Sequence, residues 1–216
     1  MKYEAILFDL DGTLTNSEPG ITSSVTGALE KMNFPVPPRD TLRKFIGPPL
    51  WSSFVDNCGM TEEQAEQAVE FYRETYNVIG AYQNAPYPGI LKMLGVLKET
   101  GVKLAVATSK PRDIALPVLD HFGLTPYFDY IAAADPDDHE SDKTRLICSG
   151  LKVFGTEPRN AVMVGDTRFD AAGARGAGTQ FIGALYGFGT QEEMENEGAA
   201  LFVATVSELQ AMLLAQ

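Results

Sequence analysis

The sequence predicts an α/β protein, a doubly wound parallel sheet interrupted near its start by an all-helical insert. Three observations carry this. Short apolar runs alternate with amphipathic stretches through most of the 216 residues. Those runs are apolar throughout rather than at every second position, as strands covered on both faces must be. From residue 17 to residue 84 the alternation stops, leaving helical patterns and no strand. The core domain is therefore expected over residues 1–16 and 85–216, and the helical domain over 17–84.

In order, the first strand is expected in YEAILF (3–8). The insert then offers ITSSVTGALEKM (21–32), TLRKFI (41–46) and TEEQAEQAVEFYRETY (61–76). Thr61 and Gln64 have the spacing of a capping box, which satisfies two free backbone donors at a helix start. Trp51, Phe54, Phe71 and Tyr72 fall in helical patterns and are expected to form the insert's own core. Turn formers mark its entry, TNSEPG, and its exit, NAPYPG. Beyond it, helical patterns over 90–100, 112–122 and 144–154 alternate with apolar runs at 102–108, 130–134, 161–165 and 180–185. ALFVATVSELQAMLL (200–214) reads as a last short strand and a helix that complete the core.

The formal charge is −12, and no basic cluster offsets it, so nucleic acid and anionic membrane are excluded as expected partners. A small anionic substrate has to be held by a few placed cations, a metal or backbone amides. Cys58 and Cys148 lie far apart without metal-ligand spacing and are expected to be buried small hydrophobes in a reducing cytoplasm. No apolar run approaches the roughly 20 residues of a membrane helix. His121 and His139 have no partner spacing and receive no role. Nothing in the sequence speaks to oligomeric state.

In open α/β sheets, ligands bind beyond the carboxyl ends of the strands. Asp9 and Asp11 follow the first strand, Thr108, Ser109 and Lys110 the second, and Asp166 and Asp170 the run AVMVG. Four carboxylates directed at one region would repel each other unless a cation sat among them. Oxygen ligands of this kind suit Mg²⁺, which is hard, octahedral and usually held by a few carboxylates together with substrate phosphate.

DLDGT, TSKP, a later lysine and GDTRFD, in that order, resemble the four motifs of the haloacid dehalogenase superfamily. The resemblance covers nearly the whole chain, and it includes a helical insert after the first motif, as in the capped phosphatases. GTLTNSEPGI, FIGPPL and PYPGI bring it closest to the phosphoglycolate phosphatase-like branch. The resemblance implies a Rossmann-like core, a Mg²⁺-dependent phosphomonoesterase and a small phosphorylated metabolite as partner, with 2-phosphoglycolate the first substrate to consider. It makes Asp9 the nucleophile that becomes an aspartyl phosphate and Asp11 the general acid and base. Lys143 neutralises negative charge on nucleophile and phosphoryl group, with Lys110 its rival for that task. Ser109 hydrogen-bonds the phosphoryl group beside Thr108, and Gly12 turns the chain without blocking the phosphate. Asp9, Asp11 through its carbonyl, Asp166 and Asp170 make up the metal site. Arg43, Lys44 and Gly47, on a loop of a lid formed by the insert, are the residues expected to set substrate specificity.

Other readings stay open beside these. Ser109 also stands where it can cap a helix ahead of Pro111. A phosphomutase of β-phosphoglucomutase type would use the same aspartate, although Thr13 in DGT favours hydrolysis. A nucleotidase or pyrophosphatase of the same fold, or a non-catalytic binding protein, is also compatible. Two departures bear on substrate: Asn16 stands where relatives often have an acid, and ADPDDHESD, just ahead of Lys143, is unusually acidic for a phosphate pocket.

Overall fold

The computed structural model describes residues 2–135 and 142–215. The chain forms two compact units, Met1–Asn16 with Pro86–Gln216, and Ser17–Ala85.

The first unit is built on six parallel strands, β1 (Ala5–Phe8), β2 (Lys103–Pro111), β3 (Tyr130–Ala134), β4 (Ala161–Gly165), β5 (Gln180–Ala184) and β6 (Phe202–Val203), in the order β3-β2-β1-β4-β5-β6. Every residue of β1 and of β4 is buried, which is why both read as unbroken apolar runs. Their side chains alternate between faces. Ala5, Leu7, Ala105, Ala107, Ala161 and Met163 form one face and pack on Ile147 and Leu151 of helix α7 (Lys143–Phe154) and Ala174 and Ala177 of helix α8 (Arg168–Ala177). The small residues let those helices approach closely. Ile6, Phe8, Leu104, Val106, Val162 and Val164 alternate to the other face and are fully buried as well. At about 25 cal/mol per Å² of apolar surface removed from water, these two layers dominate the unit's stability. Connections leave β1 in one direction along the sheet and β4 in the other, so the order reverses between them. The crevice at their carboxyl ends is where ligands bind in such sheets.

The remaining helices of this unit are α5 (Ile90–Glu99), α6 (Arg112–His121), α9 (Gln191–Asn196) and α10 (Val206–Leu214). β3, β4 and α10 have the bounds the sequence implies, whereas α8 and α9 had no expectation. β2 runs beyond residue 108 to Pro111, with a register shift against β3 between Thr108 and Pro111. Ser109 therefore lies in the strand and does not cap α6, whose N-cap is Pro111. Cys148 is exposed and Cys58 half-buried, against the expectation that both are buried. On α7 the inward positions are Lys143, Ile147, Gly150 and Leu151, and Cys148 falls between them on the solvent side.

The second unit contains α1 (Glu18–Lys31), α2 (Arg39–Arg43), α3 (Leu50–Cys58) and α4 (Glu62–Tyr76), with no strand among its described residues. The Thr61 capping box is present, with the Gln64 amide donating to Thr61 Oγ1 and the Thr61 amide to Gln64 Oε1. α2 ends at Arg43, so Lys44, Phe45 and Ile46 follow the helix instead of continuing it. Phe45 and Phe54 meet edge to face at 5.0 Å. Phe54 and Tyr72 are buried while Trp51 and Phe71 are half-buried. α3 lacked predicted bounds although its start and stop signals, Pro49 before it and left-handed Gly59 after it, are in the sequence. Among the described residues no helix is long and apolar enough to cross a membrane.

Candidate active site

The crevice between β1 and β4 collects the acids. Asp9 follows β1 directly, and its amide still donates to Val164 of β4 at 2.9 Å. Asp166 follows β4, and Asp170 lies in the first turn of α8. Lys143 is the first residue of α7, whose N-cap, Asp142, accepts from the Thr144 amide at 2.8 Å. That cap fixes where α7 begins and directs Lys143 inward. Its stem crosses Gly173, where an added Cβ would fall 2.6 Å from Lys143 Cγ. The Lys143 ammonium lies 2.9 Å from Asp9 Oδ1 and 2.8 Å from Asp170 Oδ1, and it donates to the Ala107 carbonyl at 3.2 Å. Both of those carboxylate oxygens are buried, and the lysine ammonium is the cation that faces them.

Lys110 is placed differently. Thr108 Oγ1 accepts from the Lys110 amide at 3.1 Å, which bends the end of β2. The Lys110 ammonium then reaches both oxygens of Asp11, at 2.8 and 3.2 Å, with 4 % of the lysine side chain exposed. The two lysines expected to compete for one task thus sit on different carboxylates. Thr108 is 1 % exposed and its hydroxyl is engaged in the bend; Ser109, beside it, is half-buried at the strand end.

Gly12 has φ +87°, and a Cβ there would fall 2.1 Å from Asp166 Oδ2. The missing side chain makes room for Asp166, and the Gly12 amide donates to the Thr15 carbonyl at 2.8 Å. Thr13 donates its hydroxyl to Asp166 Oδ1 at 3.1 Å. Asp170 has two tasks: Oδ2 accepts from the amide and hydroxyl of Thr167 at 3.0 and 2.8 Å, capping α8, while Oδ1 faces Lys143.

Burial sets the electrostatics. It pushes the Asp9 carboxyl up to about 6, against the pull of the Lys143 ammonium and with the charges of Asp170 and Asp11 adding to the rise. Asp166 is raised well above the carboxylate range, first by burial and then by Asp170 and Asp9, while the Phe188 amide and Thr13 hydroxyl hold it down. Burial works against the charge of Lys143, but Asp170 and Asp9 outweigh it and raise its ammonium above the usual lysine range. Burial and the nearby Asp166 charge likewise raise the Tyr186 phenol, which keeps it a donor.

These residues fit a cation. Asp9, Asp166 and Asp170 each offer a carboxylate oxygen, all within 4.8 Å of one another, comparable with the roughly 4.2 Å between opposite ligands of octahedral Mg²⁺. Asp11 and Lys110 cancel as a pair. The other three carboxylates against the single ammonium of Lys143 leave a formal charge of minus two, which a divalent ion balances. An all-oxygen donor set selects a hard ion.

Arg43, Lys44 and Gly47 belong to the helical unit. All three are exposed; Arg43 Nε lies 3.6 Å from Glu18 Oε2, Arg39 pairs with the other Glu18 oxygen at 2.7 Å, and Gly47 has φ +105°. Most of the acidic run ahead of Lys143, His139 included, lies outside the described residues. The sequence reading missed the loop after β5, residues 186–189: the Phe188 amide donates to Asp166 Oδ2 at 2.8 Å and the Tyr186 hydroxyl to the Thr13 carbonyl at 3.1 Å. The alternating glycines of YGFG were the available signal.

Residues 6–184 match the family described as haloacid dehalogenase-like hydrolase. A 5'-nucleotidase of Pseudomonas aeruginosa is 37% identical over 213 residues, 99% of this chain and 96% of that protein. A phosphoglycolate phosphatase of Caulobacter vibrioides is 33% identical over 203 residues, 92% of this chain and 85% of that protein. Among solved structures, a predicted phosphatase from Clostridium acetobutylicum superposes with a TM-score of 0.91 at 40% identity, covering 98% of each chain.

Proposed function

Given that the chain belongs to the haloacid dehalogenase-like hydrolase family, in which its phosphatase relatives make it a phosphatase, we propose that it hydrolyses small phosphomonoesters through an aspartyl phosphate on Asp9. The observation that carries this is the Lys143 ammonium, 2.9 Å from Asp9 Oδ1 and 2.8 Å from Asp170 Oδ1 in a buried cluster of acids. A carboxylate held beside a fixed positive charge is a nucleophile that an anionic phosphoryl group can approach.

In the first step an Asp9 oxygen attacks phosphorus and the bond to the leaving oxygen breaks, with Asp11, in its carboxylic-acid form for this step, passing its proton to that oxygen. In the second, Asp11 takes a proton from water, whose oxygen attacks the aspartyl phosphate and releases phosphate and free Asp9. Ser109 is assigned to hydrogen-bond the phosphoryl oxygens, and Lys143 to neutralise charge along the displacement. Asp9, Asp166 and Asp170, with the Asp11 carbonyl, would hold Mg²⁺, which when bound stabilises negative charge on the phosphoryl oxygens. Substrate choice is assigned to Arg43, Lys44 and Gly47 of the helical unit, and the enzyme to the cytoplasm, with neither nucleic acid nor membrane as partner.

A nucleoside 5'-monophosphate joins 2-phosphoglycolate as a first substrate to test, since a nucleotidase and a phosphoglycolate phosphatase are both among the similar proteins. The test is kcat/KM over a few dozen phosphorylated metabolites with Mg²⁺ and again after chelation. Hydrolysis of at least one monoester is expected, falling to background with chelator and returning with Mg²⁺. Undiminished activity in the chelated enzyme would remove the metal from the proposal, and an isomerised sugar phosphate in place of free phosphate would reveal a mutase.

The bidentate pair of Lys110 with Asp11 gives a separate expectation. Only a poor leaving group needs a proton from Asp11. Lys110 holds the Asp11 carboxyl in one direction through both of its oxygens, so Lys110→Met should misplace the proton donor and lower kcat by about a hundredfold on an alkyl phosphate and by less than about tenfold on p-nitrophenyl phosphate. Equal losses on both would place Lys110 on the phosphate instead.

A further inference from the structure

We propose that the loop of residues 186–189 positions Asp166 for metal binding, with Tyr186 and Gly187 as positioning residues that no motif of the family resemblance contains. The inference rests on the proposed role of Asp166 as a metal ligand.

Asp166 is held from two sides. Thr13 donates to Oδ1 at 3.1 Å and the Phe188 amide to Oδ2 at 2.8 Å. The first donor stands on the turn after β1 and the second on the loop after β5, elements far apart in sequence. Tyr186 joins them: its hydroxyl donates to the carbonyl of Thr13, the residue whose own hydroxyl holds Oδ1. Tyr87 backs the Tyr186 ring edge to face at 5.0 Å. The loop is stapled at its root, where the Leu185 amide donates to Val203 at 2.9 Å and the Gly187 amide to Ala184 at 3.1 Å.

Sterics require the same arrangement. A Cβ on Gly187 would lie 2.3 Å from Asp166 Cβ and 2.5 Å from the Gly12 carbonyl oxygen, and one on Gly189 would lie 2.2 Å from the Asp166 carbonyl oxygen. The loop therefore lies directly against the Asp166 backbone and side chain, and a larger residue at Gly187 has to displace one of them. A metal ligand fixed by donors on both oxygens keeps only its remaining lone-pair directions for an ion. Loss of outer contacts of this kind typically costs about 10- to 100-fold in metal affinity.

The test titrates the purified protein, without substrate, with Mn²⁺ followed by electron paramagnetic resonance, alongside thermal melts of the metal-free forms. Tyr186→Phe removes one hydroxyl and keeps the ring, so its metal-free melt should stay close to that of the parent while its Mn²⁺ Kd rises about tenfold. Gly187→Ala should weaken Mn²⁺ at least as far, and in both variants the metal concentration for half-maximal rate should rise by the same factor as Kd. Asp166→Asn is the reference. If it abolishes Mn²⁺ binding while Tyr186→Phe and Gly187→Ala remain within about twofold of the parent, the positioning role is overturned and the metal site stands. If Asp166→Asn itself binds Mn²⁺ like the parent, the metal role of Asp166 falls, and this inference falls with it.

Discussion

Asp9→Asn should leave a folded protein that no longer turns over p-nitrophenyl phosphate, with kcat/KM reduced on the order of 10⁴-fold or more. The amide keeps the shape of the carboxylate but cannot form the acyl phosphate. The same change should stabilise the metal-free protein, because burial makes the charge on Asp9 costly where it stands. The carboxyl takes up its proton at about 6 in the fold against 3.8 when free. Roughly two units correspond to about 3 kcal/mol. The folded state binds the proton more tightly than the unfolded one, so stability falls as pH rises through this range. The penalty is absent below about pH 4 and complete above about pH 6. Metal-free Asp9→Asn should consequently melt several degrees above the parent at pH 8 and together with it at pH 4. Appreciable turnover by the variant, with contaminating phosphatase excluded, would remove Asp9 as nucleophile, and coincident melts at pH 8 would remove the burial cost. Gain of stability with loss of activity is what a functional site under electrostatic strain should show.

The fold was legible because its signals are local. β1 and β4 are apolar at every position since helices cover both faces of the sheet, and the helical unit announces itself by the absence of such runs. Asp9, Asp11, Asp166 and Asp170 were legible as candidates because strand ends in a parallel sheet point the same way, whatever their separation in sequence, whereas Lys143, at the start of a helix, was legible only through the order of motifs in the family resemblance. What stayed hidden depends on side-chain direction across the site. The bend that turns Lys110 onto Asp11 comes from the Thr108 hydroxyl and a register shift against β3, neither of which leaves a periodic trace. Gly12 reads as a turn glycine, and only the structure assigns its missing Cβ to Asp166. The Tyr186 loop follows β5 without a periodic pattern of its own, and its contacts reach back to residue 13. The bounds of β2 shifted for a related reason: Pro111 is a helix-start signal, yet here it still pairs with Ala134.

Lys143→Met separates charge from packing at the centre of the site. Methionine retains much of the stem that lies over Gly173 and removes the ammonium between Asp9 and Asp170. Breaking a buried ion pair from one side leaves an uncompensated charge and costs about 3–5 kcal/mol. Lys143 faces two carboxylates, so the metal-free variant should be destabilised by at least the lower figure at pH 8. The loss should shrink at pH 5, where Asp9 with its raised pKa is largely protonated. Adding Asp170→Asn should recover part of the lost stability, because one of the two stranded charges is gone, even though the lysine is still missing. Activity should not recover with it: both variants should remain roughly 10³-fold or more below the parent, since the ammonium is also needed when the phosphoryl group approaches Asp9. A double variant no more stable than Lys143→Met would show that the lysine is held by packing alone. Normal turnover by Lys143→Met would transfer charge neutralisation to another cation and leave Lys143 a structural residue.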